Sequence, residues 1–449
     1  MNQELSFFLS GRLLLEEEVP FSLKDQPVEF LQGVFKENNQ YRCSRCGNNE
    51  PFLFASFPCA RCGQSCTYCR NCLMMGRVSE CSQLVRWTGP TPVKREDGRL
   101  HWEGKLSKGQ LTASDAVIEA VQQQSDTLIW AVCGAGKTEV LFRGIEAALK
   151  AQKRVCIATP RTDVVLELVP RLQKVFPEIE ISALYGGSPD RHKYSSLVVT
   201  TTHQLFRFQE AFDVMIVDEV DAFPYSYDST LQFAVHKARK PHSALIYLTA
   251  TPNAQWQLEC QTGKRQHTKI PARFHRYPLP VPEMLWCGRW QKLFLKGNIP
   301  PKVEEWVKSR LTLDKQALLF FPHIDVMEQA LPLFQRLDPR IEAVHAEDPD
   351  RKEKVALMRE KKLPVLLTTT ILERGVTFPN IDVAVIGAED DVFTESALVQ
   401  IAGRVGRSAD FPNGVVTFFH FGRTKAMLRA IAHIEAMNKE GRSRGLIDG

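Results

Sequence analysis

A lysine beside a glycine-rich turn, and a strand end carrying two carboxylates, together describe chemistry on a nucleotide phosphate. In Ile129-Trp-Ala-Val-Cys-Gly-Ala-Gly-Lys-Thr-Glu-Val140, Gly134, Ala135 and Gly136 offer backbone N–H groups ahead of a helix N-terminus. Lys137 has the reach for the β- and γ-phosphates, and Thr138 carries a hydroxyl for Mg2+. The stretch departs from G-x-x-x-x-G-K-[ST] at its first position, where Ala131 replaces glycine. A small residue serves there if the backbone needs no positive φ. The plain alternative is a glycine-rich turn with a chance lysine. Against it stands Met215-Ile-Val-Asp-Glu-Val-Asp221, an apolar strand ending in Asp218, placed to hold the metal, and Glu219, placed to activate the attacking water.

Further along, Gln400-Ile-Ala-Gly-Arg404-Val-Gly-Arg407 sets two arginines three residues apart. One helical turn would bring them to the same side, among glycines that admit another backbone. A guanidinium bonds bidentately to charge developing on a transferring phosphoryl group.

The chain's cysteines gather in one block: Cys43, Cys46, Cys59, Cys62, Cys66, Cys69, Cys72 and Cys81 crowd its N-terminal part, and Cys133, Cys156, Cys260 and Cys287 are scattered. Tyr41-Arg-Cys43-Ser-Arg-Cys46-Gly and Tyr68-Cys69-Arg-Asn-Cys72 have the knuckle spacing of a closed four-cysteine zinc site. A third knuckle, Cys59-Ala-Arg-Cys62-Gly, lies between them, so spacing alone leaves the pairing open. Cys59, Cys62, Cys66 and Cys81 make a weaker second set, because Cys66 and Cys81 stand outside C-x-x-C pairs, and a single site is the preferred reading. Buried free thiols are the plain alternative. Arg42, Arg45, Arg61, Arg70, Arg77 and Arg86 interleave with Tyr41, Tyr68 and Trp87, a composition suited to phosphates and unpaired bases.

The elements that position these residues follow from composition and pattern. The chain has 449 residues, 44% hydrophobic and 24% charged, which suits two or three globular domains. No apolar run reaches membrane-span length and the N-terminus lacks a secretory layout, so a cytosolic protein is expected. The net charge of +5 permits a polyanionic partner without requiring one. Residues 1–40 carry no assignable chemistry, 41–86 form the cysteine module, and Trp87 to Gly98 reads as a linker or surface hairpin. Apolar β-branched runs at Thr127–Ala131, Arg154–Ala158, Leu197–Thr200, Val214–Val217 and Ala244–Leu248 alternate with helix-length segments. The same alternation resumes at Ala317–Phe321, Ala343–His345, Val365–Thr368, Val383–Ile386 and Val415–Phe419. That is the signature of parallel sheets covered by helices. One α/β domain is expected over 87–270 and a second over 301–449. Between them, the proline-dense stretch 271–300 reads as a connector.

The order Gly134-Ala-Gly-Lys-Thr138, Thr159-Pro160-Arg161, Thr200-Thr-Thr-His-Gln-Leu205, Asp218-Glu-Val-Asp221, Thr249-Ala-Thr251, Thr369-Thr-Ile-Leu-Glu-Arg-Gly-Val376 and Gln400 to Arg407 resembles superfamily 2 helicases of the DEAD/DEAH type. The resemblance implies an α/β fold of two tandem RecA-like parallel-sheet domains. The first binds ATP with Mg2+, the second closes over it, and nucleic acid lies across both. It further implies that Gln110 reads the adenine edge and that Thr249 and Thr251 couple the phosphate site to closure. Arg404 and Arg407 then serve hydrolysis, and Thr159, Arg161, Thr201 and Thr202 face the nucleic-acid strand. β-propensity or capping is the plain account of those threonines. Glu373 and Arg374 would sense the nucleotide, with a surface ion pair as the alternative.

Knuckles ahead of such a core, with Leu73-Met-Met-Gly-Arg77-Val, Trp102-Glu-Gly-Lys-Leu106, Asp218-Glu-Val-Asp-Ala-Phe-Pro224 and Thr370-Ile-Leu-Glu-Arg-Gly375, resemble the ComFA family of late-competence ATPases of naturally transformable Gram-positive bacteria. That resemblance implies zinc at Cys43, Cys46, Cys69 and Cys72. It also implies a motor peripheral at the inner face of the membrane, helping single-stranded DNA through the ComEC channel with ComFC and DprA as cytosolic partners. Two alternatives stay open. A replication-restart or RNA helicase would unwind duplexes or depend on the 2′-OH, and a non-catalytic adaptor is disfavoured by the intact Glu219, Arg404 and Arg407. Since the ATP motifs follow the cysteine block, loss of zinc at Cys43 is expected to spare basal ATPase activity and to weaken DNA binding.

Overall fold

The computed structural model describes residues 2–94, 96–374 and 376–448. It divides into two compact units, Met1–Leu106 with Leu111–Ile129 and Thr138–Thr268, and Ser107–Gln110 with Trp130–Lys137 and Lys269–Gly449.

The first unit begins with short antiparallel pieces. Gln83–Trp87 lies between Leu13–Leu15 and Val28–Gln32, so the N-terminal segment and the cysteine module share a sheet. Val34–Glu37 and Gln40–Cys43 form a hairpin. Its two turn residues, Asn38 and Asn39, have φ of 48° and 63°, the left-handed pair that a two-residue turn demands and that asparagine tolerates. Phe54–Pro58, Ser65–Cys69 and Val78–Ser79 make a third antiparallel sheet. The Trp87 to Gly98 stretch carries no regular element beyond the strand end at Trp87 among its described residues. Here segment 1–40 gains a role that its sequence did not disclose. The buried Arg12 donates to the Phe8, His192 and Lys193 carbonyls at 2.8, 3.1 and 2.6 Å, tying the N-terminus to the following α/β domain.

That domain is built on a seven-stranded sheet in the order Ile181–Leu184, Leu197–Thr201, Val155–Thr159, Phe212–Val217, Arg239–Thr249, Asp126–Ala131 and His267–Ile270. The first five strands pair in parallel. The central ones, Leu197–Thr201, Val155–Thr159 and Phe212–Val217, are buried on both faces and read as near-continuous apolar runs rather than alternations. Helix Lys137–Lys150 packs with Val140, Leu141, Ile145, Ala148 and Leu149 inward, the spacing of one apolar stripe. Glu139 in its first turn and Lys150 in its last complement the helix dipole.

The second domain has a six-stranded, wholly parallel sheet: Glu283–Trp286, Val416–His420, Ile381–Ile386, Gln316–Phe320, Val365–Thr368 and Glu342–Val344. Its first strand falls inside the stretch expected to be a connector. An edge strand needs only one neighbour, so prolines flanking it do no harm. Helix Trp290–Leu295 follows, with Trp290 buried and its Nε1 donating to Glu389 Oε1 at 2.8 Å.

Candidate nucleotide site and metal centres

Ala131 is the last residue of its strand, with no positive φ, so the absent glycine costs nothing. The turn that follows does need glycine: Gly134 and Gly136 adopt φ of 80° and 73°, and helix Lys137–Lys150 starts immediately after them. Backbone N–H groups at a helix start, with Lys137 and Thr138 at its first positions, fit a phosphate with its Mg2+. Gln110 is buried beneath this turn. Its Nε2 donates to the Ala135 carbonyl at 2.9 Å and the Gly136 carbonyl at 3.3 Å, while its Oε1 accepts from the Ser107 backbone at 2.8 Å. It therefore shapes the turn from below.

Asp218 and Glu219 follow strand Phe212–Val217 directly. The Asp218 N–H closes the ladder on the Ala158 carbonyl at 2.8 Å, and Asp218 Oδ1 accepts the Glu219 N–H at 2.8 Å. Glu219 has φ of 56°, a left-handed conformation that costs a non-glycine residue about 1 kcal/mol or more. Asp221 completes the motif. Its Oδ1 accepts from Thr249 Oγ1 at 2.6 Å and its Oδ2 from Thr251 Oγ1 at 2.7 Å, and Thr251 N donates to Thr249 Oγ1 at 3.0 Å. The two threonines are thus joined to the acidic strand end by one carboxylate, a residue that sequence had left without a role.

In the second unit the expected helical turn is absent. Helix Glu395–Ala402 stops before the arginines. Gly406 takes φ of 66°, and a Cβ there would sit 2.1 Å from the Pro412 carbonyl oxygen, so the chain turns where only glycine fits. The arginines diverge accordingly. Arg404 is buried with its Nε on the Glu373 carbonyl at 3.0 Å, whereas Arg407 is part-exposed with its Nε on the Gly403 carbonyl at 3.0 Å. Arg273, unremarked in the sequence, braces this turn by donating to the Val405 and Gly406 carbonyls, each at 2.7 Å. Cys133, one of the scattered cysteines, donates to Gln400 Oε1 at 3.0 Å.

Other residues expected to face the nucleic-acid strand lie inside the fold. Thr159, Thr201 and Thr202 are buried, and Arg161 is held bidentately by Asp163 at 3.1 and 2.9 Å. Arg374 and Glu373 do form an ion pair, at 3.3 Å, but in the interior rather than on the surface. Gly375 lies outside the described residues.

Cys43, Cys46, Cys69 and Cys72 converge with their sulfurs within 4.8 Å of one another, all buried. Cys43 and Cys72 stand 3.7 Å apart, Cys46 and Cys69 3.6 Å. Four sulfurs at the usual Zn–S length of about 2.3 Å are about 3.8 Å apart in a tetrahedron, so the set fits zinc. The crowding itself calls for a cation. Hydrogen bonding to Cys46 and its neighbours pushes the Cys43 thiol well up, while hydrogen bonds from Cys43 and the others hold Cys72 down. Asn48 Nδ2 donates to Cys69 Sγ at 3.6 Å.

The surroundings carry positive charge inward. Arg45 is fully buried and donates to the Cys72 carbonyl at 3.2 Å and to the Gly76 carbonyl. Lys237, from the α/β domain, donates to the Arg45 carbonyl at 2.5 Å and the Phe206 carbonyl at 2.8 Å. Burial pushes the Lys237 ammonium down to about 7, Arg45 adding to the fall and nearby thiolates opposing it. One apolar core runs without interruption from these cysteines through Leu205, Phe206, Met215 and Leu245.

The shared core alters the expectation that zinc loss spares basal ATPase activity. Cys46→Ser should release one zinc per chain, lower the unfolding temperature by about 10 °C or more, and depress basal turnover with it. Metal analysis and calorimetry check this, and an unchanged melting temperature would make the module a detachable appendage.

The arginines of the block are mostly committed. Arg42 pairs with Glu37 at 2.9 Å, Arg86 with Glu29 at 2.5 Å, and Arg61 with Glu16 and Glu17 at 3.6 and 3.5 Å. The carboxylates come from segment 1–40, outside the cysteine module, whose own acidic residues are Glu50 and Glu80. Among the described residues Arg70 and Arg77 have no carboxylate partner, and Arg77 stacks 4.2 Å above the Phe57 ring.

Residues 1–86 match the competence protein ComFA N-terminal domain, 103–254 the type III restriction enzyme res subunit, and 302–409 the helicase conserved C-terminal domain. Competence protein ComFA of Bacillus subtilis (strain 168) is 48% identical over 445 residues, covering 98% of this chain and 96% of the relative. Competence protein ComFA of Streptococcus pneumoniae (strain ATCC BAA-255 / R6) is 38% identical over 435 residues, covering 96% and 98%. Among solved structures, Mycobacterium smegmatis helicase Lhr bound to ssDNA and AMP-PNP aligns with a TM-score of 0.53 at 17% identity, over 75% of this chain and 50% of that one. S. cerevisiae Dbp5 bound to RNA and ADP BeF3 aligns with a TM-score of 0.50 at 14% identity, over 74% and 91%. These two likenesses concern the fold, a pair of RecA-like helicase domains.

Proposed function

The chain belongs to the ComFA family of competence proteins, and we propose that it is a single-stranded DNA translocase whose ATPase activity, stimulated by nucleic acid, helps draw transforming DNA into the cytoplasm. The observation that carries this reading is the intact hydrolytic set, Lys137, Asp218, Glu219 and Arg407, in a chain aligned over 98% of its length with a competence relative.

The roles proposed follow the motifs, with the local geometry of the phosphate turn and of the acidic strand end in support. The Gly134–Gly136 backbone and Lys137 bind the β- and γ-phosphates. Thr138 and Asp218 would hold Mg2+, which supplies charge neutralisation on the phosphates. Glu219 takes the proton of the attacking water, and Arg407 meets the charge on the γ-phosphoryl group as ATP and water become ADP and phosphate. Arg404 is a positioning residue that fixes the Glu373 backbone. Gln110 holds the phosphate turn and is assigned the adenine edge. The Thr249–Asp221–Thr251 bridge ties the catalytic strand end to the start of the next segment, a route by which strand binding reaches the phosphate site.

The bridge gives a test of coupling. Thr249→Val with Thr251→Val leaves the Asp221 carboxylate without two of its donors, costing about 1–3 kcal/mol. DNA-stimulated turnover should fall to the basal rate while ATP binding persists, as a phosphate-release assay with and without single-stranded DNA would show.

In this setting the motor acts peripherally at the inner face of the membrane, with the ComEC channel, ComFC and DprA as proposed partners. No helix among the described residues is long and apolar enough to cross a membrane. The direct experiment is ATP-driven displacement of streptavidin from single-stranded DNA biotinylated at one end or the other. Displacement from one end, lost in Glu219→Gln, supports translocation. Unwinding of RNA duplexes without displacement on DNA would favour an RNA helicase, and ATP binding without turnover a non-catalytic adaptor.

A further inference from the structure

We propose that Cys59, Cys62, Cys66 and Cys81 close a second zinc site, separate from the buried one. Their sulfurs lie within 4.8 Å of one another, and Cys59 and Cys81 stand 3.5 Å apart. That is close to a tetrahedral edge of about 3.8 Å around zinc and far beyond the roughly 2.05 Å of a disulfide.

The knuckle at Cys59 repeats the one at Cys43 bond for bond. In the buried site the Cys43 N–H donates to the Asn48 carbonyl at 3.0 Å, and the Gly47 N–H to the Cys43 carbonyl at 2.8 Å. In the outer group the Cys59 N–H donates to the Gln64 carbonyl at 2.9 Å, and the Gly63 N–H to the Cys59 carbonyl at 2.8 Å. Gly47 and Gly63 have φ of 70° and 69°. The same turn presents the same two sulfurs in each, and in the first it serves a set whose spacing fits zinc.

The remaining two ligands come from places that sequence spacing does not advertise. Cys66 lies on strand Ser65–Cys69, three residues before Cys69. An odd step along a strand sends the two side chains to opposite faces, about 10 Å apart along the chain, so one strand donates a ligand to each site. Cys81 sits in a turn fixed by its neighbours: Ser79 N donates to Ser82 Oγ at 3.0 Å, and Ser82 N to the Ser79 carbonyl at 3.1 Å. The same turn is tied back to the strand, where Thr67 N donates to Glu80 Oε2 at 2.6 Å and Glu80 N to the Thr67 carbonyl at 2.9 Å.

Packing does not account for this arrangement. Of residues 58–65 only Cys59 is buried, and a Cβ on Gly63 would meet nothing within 4 Å. The tip of the Phe54–Pro58 and Ser65–Cys69 hairpin has no apolar core to hold it against the Cys81 turn. Four thiolates around Zn2+ supply that closure, as metal does in modules too small to bury a core. Cys62 is exposed, so the outer ion should exchange faster than the inner one.

The test uses the full chain, reduced, loaded with excess Zn2+ and desalted. About two zinc ions per chain are expected, falling to about one in Cys62→Ser and in Cys81→Ser. About one zinc in the parent, unchanged in both variants, would overturn the proposal. So would about two in the parent and in both variants, which would put the second ion elsewhere. A variant-free measurement guards against misfolding. In the zinc-loaded parent the exposed Cys62 should resist Ellman's reagent until a chelator is added, in two kinetic phases of zinc release. Immediate reaction of Cys62 in the loaded protein would show that the group holds no metal.

Discussion

Lys137→Ala is expected to lower ATP turnover by about 10²–10³-fold or more, the scale for losing a preorganised charge at a developing anion. The side chain stands at the first position of helix Lys137–Lys150, behind a turn whose glycine conformations shape the cradle. No substitution by a neighbour is expected. Arg273 packs at Gly134, with its Cγ 3.5 Å from where a Cβ would be, but its guanidinium is spent on the Val405 and Gly406 carbonyls at 2.7 Å each. Glu219→Gln should separate binding from chemistry. The amide keeps the shape of the turn after Asp218 but cannot accept the proton of water, so ATP is retained while turnover falls by about 10²–10⁴-fold. Phosphate release together with binding of a fluorescent ATP analogue reads both effects. Parental turnover in Glu219→Gln would remove it as the base.

Arg407→Ala should depress kcat by about 10³-fold with little change in KM, because its charge matters most where γ-phosphate charge develops. The two arginines of the motif are distinguishable on structural grounds. Arg404 is buried and donates to the Glu373 carbonyl, so Arg404→Ala should also lower the melting temperature. Arg407 is part-exposed and braced through its Nε on the Gly403 carbonyl, so its loss should leave melting close to parental. Steady-state kinetics alongside thermal unfolding decides between them. A raised KM with unchanged kcat in Arg407→Ala would make it a ground-state binding residue instead.

The central strands were legible because burial on both faces demands continuous β-branched runs, as at Val214–Val217 and Val383–Ile386. Most edge strands were not, Glu342–Val344 being the exception. Ile181–Leu184 is short and interrupted by Ser182, and Glu283–Trp286 lies among prolines with its residues half exposed. The phosphate turn and acidic strand end were visible because their chemistry is local in sequence. What escaped depended on other segments: the Pro412 backbone against which Gly406 turns, and the carboxylates of Glu16, Glu17, Glu29 and Glu37 that pair with Arg61, Arg86 and Arg42 of the cysteine block. The continuity of that block with the core of the first RecA-like domain was likewise unreadable, since Lys237 and Phe206 lie far from any cysteine of the block along the chain. Cys66 and Cys81 look like strays in sequence because strand parity and a turn, not C-x-x-C spacing, bring them to Cys59.

The central claim, a DNA-driven ATPase of the competence family, is tested most directly by steady-state ATP turnover measured in parallel with single-stranded DNA, blunt duplex DNA and single-stranded RNA of matched length. Single-stranded DNA should raise kcat about tenfold or more above the basal rate, a loss of about 1.4 kcal/mol from the barrier. Duplex DNA and RNA should do far less, and Glu219→Gln should respond to none of them. Equal or greater stimulation by RNA, or turnover indifferent to all three polymers, would contradict the account.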